Sequence, residues 1–155
     1  MSKSVLAIDG GGSKTLVAIA DPSGVVTLLA GGAGVNPMDN PQWRQNLASL
    51  LEAFAVVGTE VAAAVAALPS YGEVAAVSAR QRDAVDALLE TVPQRLVNDV
   101  DAAHLGAFAG GPGILILAGT GSMAWARDST GASYRVGGWG EGFGDEGSGY
   151  WIGLR

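Results

Sequence analysis

Three places in this 155-residue chain carry side chains suited to chemistry. Near the N-terminus Asp9 is followed by Gly10, Gly11 and Gly12, then by Ser13, Lys14 and Thr15. Far along the chain, Gly119, Thr120, Gly121 and Ser122 form a second cluster of glycines and hydroxyls. Between them, "VNDVDAA" sets Asp99 and Asp101 at the start of an alanine-rich stretch. Glycine turns expose consecutive backbone N–H groups, and concave arrays of such groups bind phosphate oxygens. Ser13 and Thr15 add hydroxyl donors to the first turn. Asp9 is placed to hold a magnesium ion through waters, because Mg²⁺ keeps much of its hydration shell. The alternative for either turn alone is a plain glycine hairpin. Two such turns together point to a nucleotide triphosphate gripped from two sides.

The first turn is not a P-loop. That motif needs a Lys directly after its last Gly and opens a helix. Here Ser13 separates Gly12 from Lys14, and "TLVAIA" has the β-branched and aliphatic content of a strand. The dinucleotide fingerprint fails for the same second reason. Residues 4–9, 15–20 and 25–30 read as a meander of three strands, with the turn "DPSG" between the last two. Asn40 is placed to cap a helix with Pro41 at its first position, and Leu47, Leu50, Leu51 and Phe54 follow at helical spacing. Residues 61–67 read as a buried strand stopped by Pro69, 78–92 as an amphipathic helix capped by Ser78, 95–98 as a short strand, and 101–110 as a short helix. The order is β-β-β-α-β-α-β-α.

The design then begins again. Ile114–Leu117 leads into a glycine turn, Met123–Ala126 follows, and "DSTG" makes the next turn. Gly12 and Ser13 superpose on Gly121 and Ser122 at an offset of 109, while "DPSG" and "DSTG" superpose at 107. An internal duplication accounts for both. The expected domains are 1–111 and 112–155. A three-stranded meander without helices cannot bury its sheet face, so the second unit is expected to be the truncated opening of a longer domain.

Composition narrows the partners. A net charge of −6 argues against nucleic acid or an anionic membrane surface. A hydrophobic fraction of 48% with 15% charged residues supports a packed core. The sequence has no Cys, which excludes disulfides, thiolate metal sites and cysteine nucleophiles. "MSKSVLAIDG" reads as neither a signal peptide nor a membrane span, making the cytoplasm the expected compartment.

"AIDGGGSKT", "GVNP" (34–37), "VNDVDAA" (97–103), "ILILAGTGSMAWA" and above all "GGWGEGFGDEGSGYWIG" (137–153) resemble, in order, the N-acetylglucosamine kinase and BadF/BadG/BcrA/BcrD group of the actin-like ATPase superfamily. The resemblance implies an α/β ribonuclease H-like actin-type ATPase domain with a mixed five-stranded sheet, followed by the opening meander of a duplicated second domain. It implies ATP and Mg²⁺ as cofactors and an amino sugar as substrate, most simply N-acetylglucosamine phosphorylated on its 6-hydroxyl. A glucosamine or other hexose kinase, a non-kinase ATPase and a sugar-sensing regulator stay open, as does a homodimer of the full-length protein. A chain ending here is expected to be an inactive half-enzyme.

The phosphate contacts implied are Gly11, Gly12, Ser13, Lys14, Thr15, Gly119, Thr120, Gly121 and Ser122, with Asp9 for the metal. Asp99 is the implied base, with Asp101 its competitor, and Asp99 serves equally as a helix cap. The sugar contacts implied are Asn36, Pro37, Asp99, Gly138, Trp139 and Asp145. Against these stand simpler readings. Asn36 can be a turn residue before Pro37, Trp139 a core residue, and Lys14 a surface charge. His104, the sole histidine, reads as a satisfied or exposed helix residue.

Overall fold

A computed structural model describes residues 3–57 and 60–155, without the side chains of 53–57, so the core position expected of Phe54 lies outside the described residues. The chain forms two compact units, Met1–Asp99 and Val100–Arg155. The division falls inside a helix, earlier than the boundary expected after residue 111. The reason is local. On that helix, His104 Nε2 lies 3.1 Å from the Gly113 carbonyl and Asp101 pairs with Arg127 at 3.3 Å, both within the second unit.

The first unit holds β1 (Ser4–Gly10), β2 (Lys14–Ala20), β3 (Val26–Ala33), α1 (Trp43–Val57), β4 (Val61–Leu68), α2 (Ala75–Leu89) and β5 (Gln94–Asn98), with α3 (Asp99–Phe108) leading onward. Its sheet has the order β3-β2-β1-β4-β5. β1 pairs antiparallel with β2 and parallel with β4, and β5 continues the parallel half. This is the mixed five-stranded sheet of the expected fold. Alternation along β1 sends Leu6, Ile8 and Gly10 inward and leaves Val5, Ala7 and Asp9 exposed. Leu6 and Ile8 meet Val17 of β2, Leu47, Leu50 and Leu51 of α1, and Val85 and Leu89 of α2 in one buried cluster. Each large aliphatic side chain buried there contributes about 1.5–3 kcal/mol.

Several element ends differ from the sequence reading, three of them with a consequence for the turns and caps. β3 runs on to Ala33, because Gly31 and Gly32 pair with Leu16 and Thr15 despite their low strand propensity. α2 begins at Ala75, a turn before Ser78. Ser78 does not cap it: its hydroxyl accepts from the Gly72 N–H at 2.8 Å and donates to the Val74 carbonyl at 3.0 Å. α3 begins at Asp99 itself. Asn40 does cap α1 as expected, its Oδ1 accepting from the Gln42 N–H at 2.9 Å.

The second unit holds β6 (Gly113–Ala118), β7 (Ser122–Arg127), β8 (Ser133–Gly137) and the short α4 (Gly149–Gly153). The strands form an antiparallel sheet in the order β6-β7-β8. One face carries Ile114, Ile116, Tyr134 and Val136, all exposed.

The duplication is visible in hydrogen bonds. Asp21 Oδ1 accepts from Ser23 N–H, Ser23 Oγ and Val25 N–H at 2.6–3.0 Å. Asp128 Oδ1 accepts from Thr130 N–H, Thr130 Oγ1 and Ala132 N–H at 2.7–3.0 Å. The glycine turns are closed by Gly10 opposite Thr15 and by Ala118 opposite Ser122. Ser122 therefore corresponds to Thr15, at the same offset of 107 as the aspartates, and not to Ser13 at 109. The offset is 108 before the turns, from Gly10 to Ala118, and 107 after them because the first turn is one residue longer; the offset of 109 fits neither strand.

Both turn carboxylates are held below the usual carboxylate range. For Asp21 the Ser23 hydroxyl is the main cause, and for Asp128 the Thr130 hydroxyl. A depressed folded-state value means that the stabilisation is present above the unfolded value of 3.8 and disappears as pH falls through the folded one. Thermal melts across pH should accordingly show wild type above the Asp21→Ala, Asp128→Ala double variant at pH 7. The gap should narrow below pH ~3.8. A gap that stays constant into acid would show that these carboxylates do not act through their charge.

Candidate functional site

The first glycine turn sits at the end of β1, in the middle of the sheet. The Gly11 N–H donates to the Lys14 carbonyl at 2.9 Å and closes it. Gly12 lies at its crest, where an added Cβ would meet nothing within 4 Å. Below the crest the packing is close. A Cβ at Gly10 would lie 2.7 Å from Val35, and one at Gly34 would overlap the Gly12 carbonyl outright. The Val35 N–H donates to the Gly11 carbonyl at 3.0 Å. Glycine is thus required at 10 and 34 for room. Asp9 and Lys14 are exposed at the rim.

Thr15 departs from expectation. Strand alternation turns it inward with Val17 and Ile19, it is fully buried, and its hydroxyl has no protein partner. The phosphate contact expected of that hydroxyl is not available in this conformation, and the turn offers its backbone and Ser13.

The second turn is closed by Gly119 N–H donating to the Gly121 carbonyl at 2.8 Å. Loop 145–149 braces it. The Ser122 N–H donates to Asp145 Oδ1 at 3.3 Å, the Ser122 hydroxyl to the Glu146 carbonyl at 2.8 Å, and the Gly149 N–H to the Gly119 carbonyl at 2.8 Å. Asp145 adopts φ 67°, in the left-handed region where a non-glycine residue is uncommon. Ser148 is buried and caps α4 by accepting from the Trp151 N–H at 3.1 Å. Asp145, expected at the sugar, is therefore seated on the phosphate-type turn. The N–H and the hydroxyl of Ser122 are both spent on that same loop. A Cβ at Gly121 would lie 3.0 Å from Asp145 Oδ2, so a side chain there would press on that carboxylate.

Asp99 is half-buried, at the junction where β5 becomes α3. Asn98, just before it, donates to the Tyr71 carbonyl at 3.0 Å and to Glu73 Oε1 at 3.2 Å, fixing the strand end. Asp101 is engaged by Arg127. Asn36 uses its amide locally: Nδ2 donates to Asp39 at 3.1 Å, and Oδ1 accepts from the Met38 N–H at 3.2 Å. This is the turn geometry weighed against a sugar role, and Pro37 lies within it. Trp139 is not a core residue. It is 67% exposed, with the Arg135 guanidinium 4.8 Å above its ring. Arg135 also donates to the carbonyls of Gly137 and Gly138, two glycines at positive φ. His104 is buried against Phe108 and held by the Gly113 carbonyl.

Within the first unit, then, Gly11, Gly12 and Ser13 share one turn with the 34–36 segment beneath it. Within the second, Gly119–Ser122 and Asp145 share another. The sequence reading gave no role to Gly34, Asn46 or Arg135. Gly34 stood inside a quoted motif, but no local pattern in a single sequence announces a backbone-to-backbone contact.

The sequence profile of the BadF/BadG/BcrA/BcrD ATPase family matches residues 6–155. An N-acetylmuramic acid/N-acetylglucosamine kinase of Clostridium acetobutylicum is 31% identical over 160 aligned positions, covering 99% of this chain and 52% of that protein. A proposed N-acetylglucosamine kinase from Chromobacterium violaceum superposes with a TM-score of 0.70 at 29% identity, over 99% of this chain and 55% of that one. A second, from Porphyromonas gingivalis, gives 0.69 at 23% identity, over 95% and 52%, and speaks to the fold alone. The chain thus spans about half the length of these relatives.

The contrast between Gly12 and Gly34 is testable by denaturant unfolding. Gly34→Ala should cost at least about 1–3 kcal/mol by forcing two backbones apart. Gly12→Ala, at an open crest, should change stability by less than about 1 kcal/mol. Equal costs would contradict the packing described.

Proposed function

We propose that this chain, which belongs to the BadF/BadG/BcrA/BcrD ATPase family, is the phosphate-binding and catalytic-base portion of an ATP-dependent amino-sugar kinase. The observation that carries the reading is that each unit has a strand–glycine–strand turn, the two built alike, and that Asp99 stands at a strand end. Such a set suits a transfer in which positioning and charge neutralisation do most of the work.

In this reading the first turn presents the Gly12 and Ser13 region to phosphate oxygens, and the second presents Thr120 and Gly121. An ATP-bound Mg²⁺ would neutralise phosphate charge. Among the described residues no group of three or more His, Cys, Asp or Glu side chains could hold a metal ion by itself. Asp9, exposed beside the first turn, would anchor the ion through water. Asp99 accepts the proton of the sugar 6-hydroxyl as its oxygen bonds to the γ-phosphorus. The bond from that phosphorus to the β,γ-bridging oxygen breaks, and ADP leaves. Asp99 is favoured over Asp101 because it stands at the strand end itself, where β5 (Gln94–Asn98) gives way to α3. N-Acetylglucosamine is the substrate class this reading favours. N-Acetylmuramic acid is a second one, favoured by the name of the Clostridium relative. Trp139 supports either through its exposed ring. Among the described residues no helix is long and apolar enough to cross a membrane.

An ADP-release assay with a panel of amino sugars tests this, using a polypeptide of the relatives' length that carries the chain. Sugar-dependent release is expected. Asp99→Asn should lower turnover by at least about 10²-fold, as for loss of a general base, with sugar affinity held within a few-fold. Absence of sugar-dependent release would sink the kinase reading, and an active Asp99→Asn variant would move the base elsewhere.

A further inference from the structure

The first glycine turn does not hold its shape alone. Its support converges on one carbonyl, that of Gly34. This oxygen accepts from Asn40 Nδ2 at 2.8 Å and from Asn46 Nδ2 at 2.9 Å. A carbonyl has two lone pairs, and both are thereby used. Gly34 is buried, and its backbone lies against the Gly12 carbonyl with no side chain between. The next residue, Val35, is fully buried, packs against Gly10, and donates its N–H to Gly11. Every residue from Gly10 to Gly12 therefore touches the pair 34–35. Asn40 does two jobs at once, since its oxygen caps α1 while its nitrogen reaches Gly34. Asn46 is the fourth residue of the same helix.

We propose that Asn40 and Asn46 are positioning residues for the first glycine turn, acting through the Gly34 carbonyl. The helix start fixes Gly34, Gly34 and Val35 fix Gly11 and Gly12, and the turn's backbone N–H groups are thereby aimed before any phosphate arrives. A donor array that is already in place does not have to reorganise when the anion binds. Asn36 lies on the same segment, two residues beyond Gly34, so the turn and that asparagine share one support. The functional consequence rests on the phosphate-binding reading above; the geometry does not.

The test is nuclear magnetic resonance of the polypeptide of the relatives' length that carries this chain, with MgATP as the probe. Asn46→Asp keeps the side chain's shape but sets an oxygen against the Gly34 carbonyl. Asn40→Ser keeps an oxygen for the helix cap but is too short to reach Gly34. Either variant should raise hydrogen exchange at the Val35 amide at least tenfold and shift the Gly11–Ser13 amides. The Ala66 amide, in the parallel half of the sheet, should exchange as in wild type. MgATP should move the Gly11–Thr15 amides of wild type, with apparent affinity at least fivefold weaker in both variants. Folded variants with wild-type Val35 exchange and wild-type turn shifts would overturn the proposal. Faster exchange with unchanged MgATP affinity would reduce the clamp to a stability element and overturn the positioning role. Wild-type turn amides that ignore MgATP would defeat the phosphate reading itself, and the exchange measurement would still decide whether the clamp shapes the turn.

Discussion

The first unit is organised by the position of β1, which has a strand hydrogen-bonded along each edge. β2 runs antiparallel on one side and β4 parallel on the other. A strand flanked on both sides cannot slip in register without breaking both ladders. A slip of one residue would also exchange Leu6 and Ile8 for Val5 and Ala7 in the core. That constraint decides where the chemistry sits. With Leu6 and Ile8 committed inward, Asp9 must face outward, and the turn at 11–13 must emerge at the sheet's end beside the tip of β4. The apolar pattern of β1 therefore aims the polar residues that follow it.

The second unit repeats the plan with different supports. Both hairpins close through a glycine N–H, and both return strands are followed at once by an aspartate that gathers two N–H groups and a hydroxyl. What braces each glycine turn is not shared. The first rests on the segment after β3 and the start of α1, and the second on loop 145–149. The likeness lies in the strands and turns, where backbone geometry leaves few solutions. The difference lies in the connections, where many solutions serve. In a chain with nine Lys and Arg against fifteen Asp and Glu, phosphate contacts made by backbone N–H groups suit the chemistry better than side-chain cations would.

Much of this was legible in the sequence, for reasons that differ by residue. The strands themselves were legible in runs such as "VLAI" and "LVAIA", whose β-branched and aliphatic residues fit a pleated, half-buried surface. The cap at Asn40 was legible because capping is a local pattern. Ser78 misled for the same reason: it has the right type for a cap, but Gly72 and Val74 claim its hydroxyl one turn inside the helix. Thr15 was misread because its neighbours in the chain are polar, whereas its strand partners turn it into the core. Asp145 was assigned to the sugar by its place in a motif, and its contact with Ser122 spans a long loop that no periodicity describes. Local patterns were readable; contacts between distant segments were not.

The contact of Gly34 with Gly12 has a mechanical meaning. Where side chains mediate a contact, a small displacement on one side is absorbed by rotamer adjustment, and little reaches the other. Where two main chains touch directly there is no such slack. A movement of the segment bearing Asn36 and a movement of the glycine turn are, at that point, one movement. The joint behaves as a rigid lever, and its stiffness comes from two residues that have no side chains to yield.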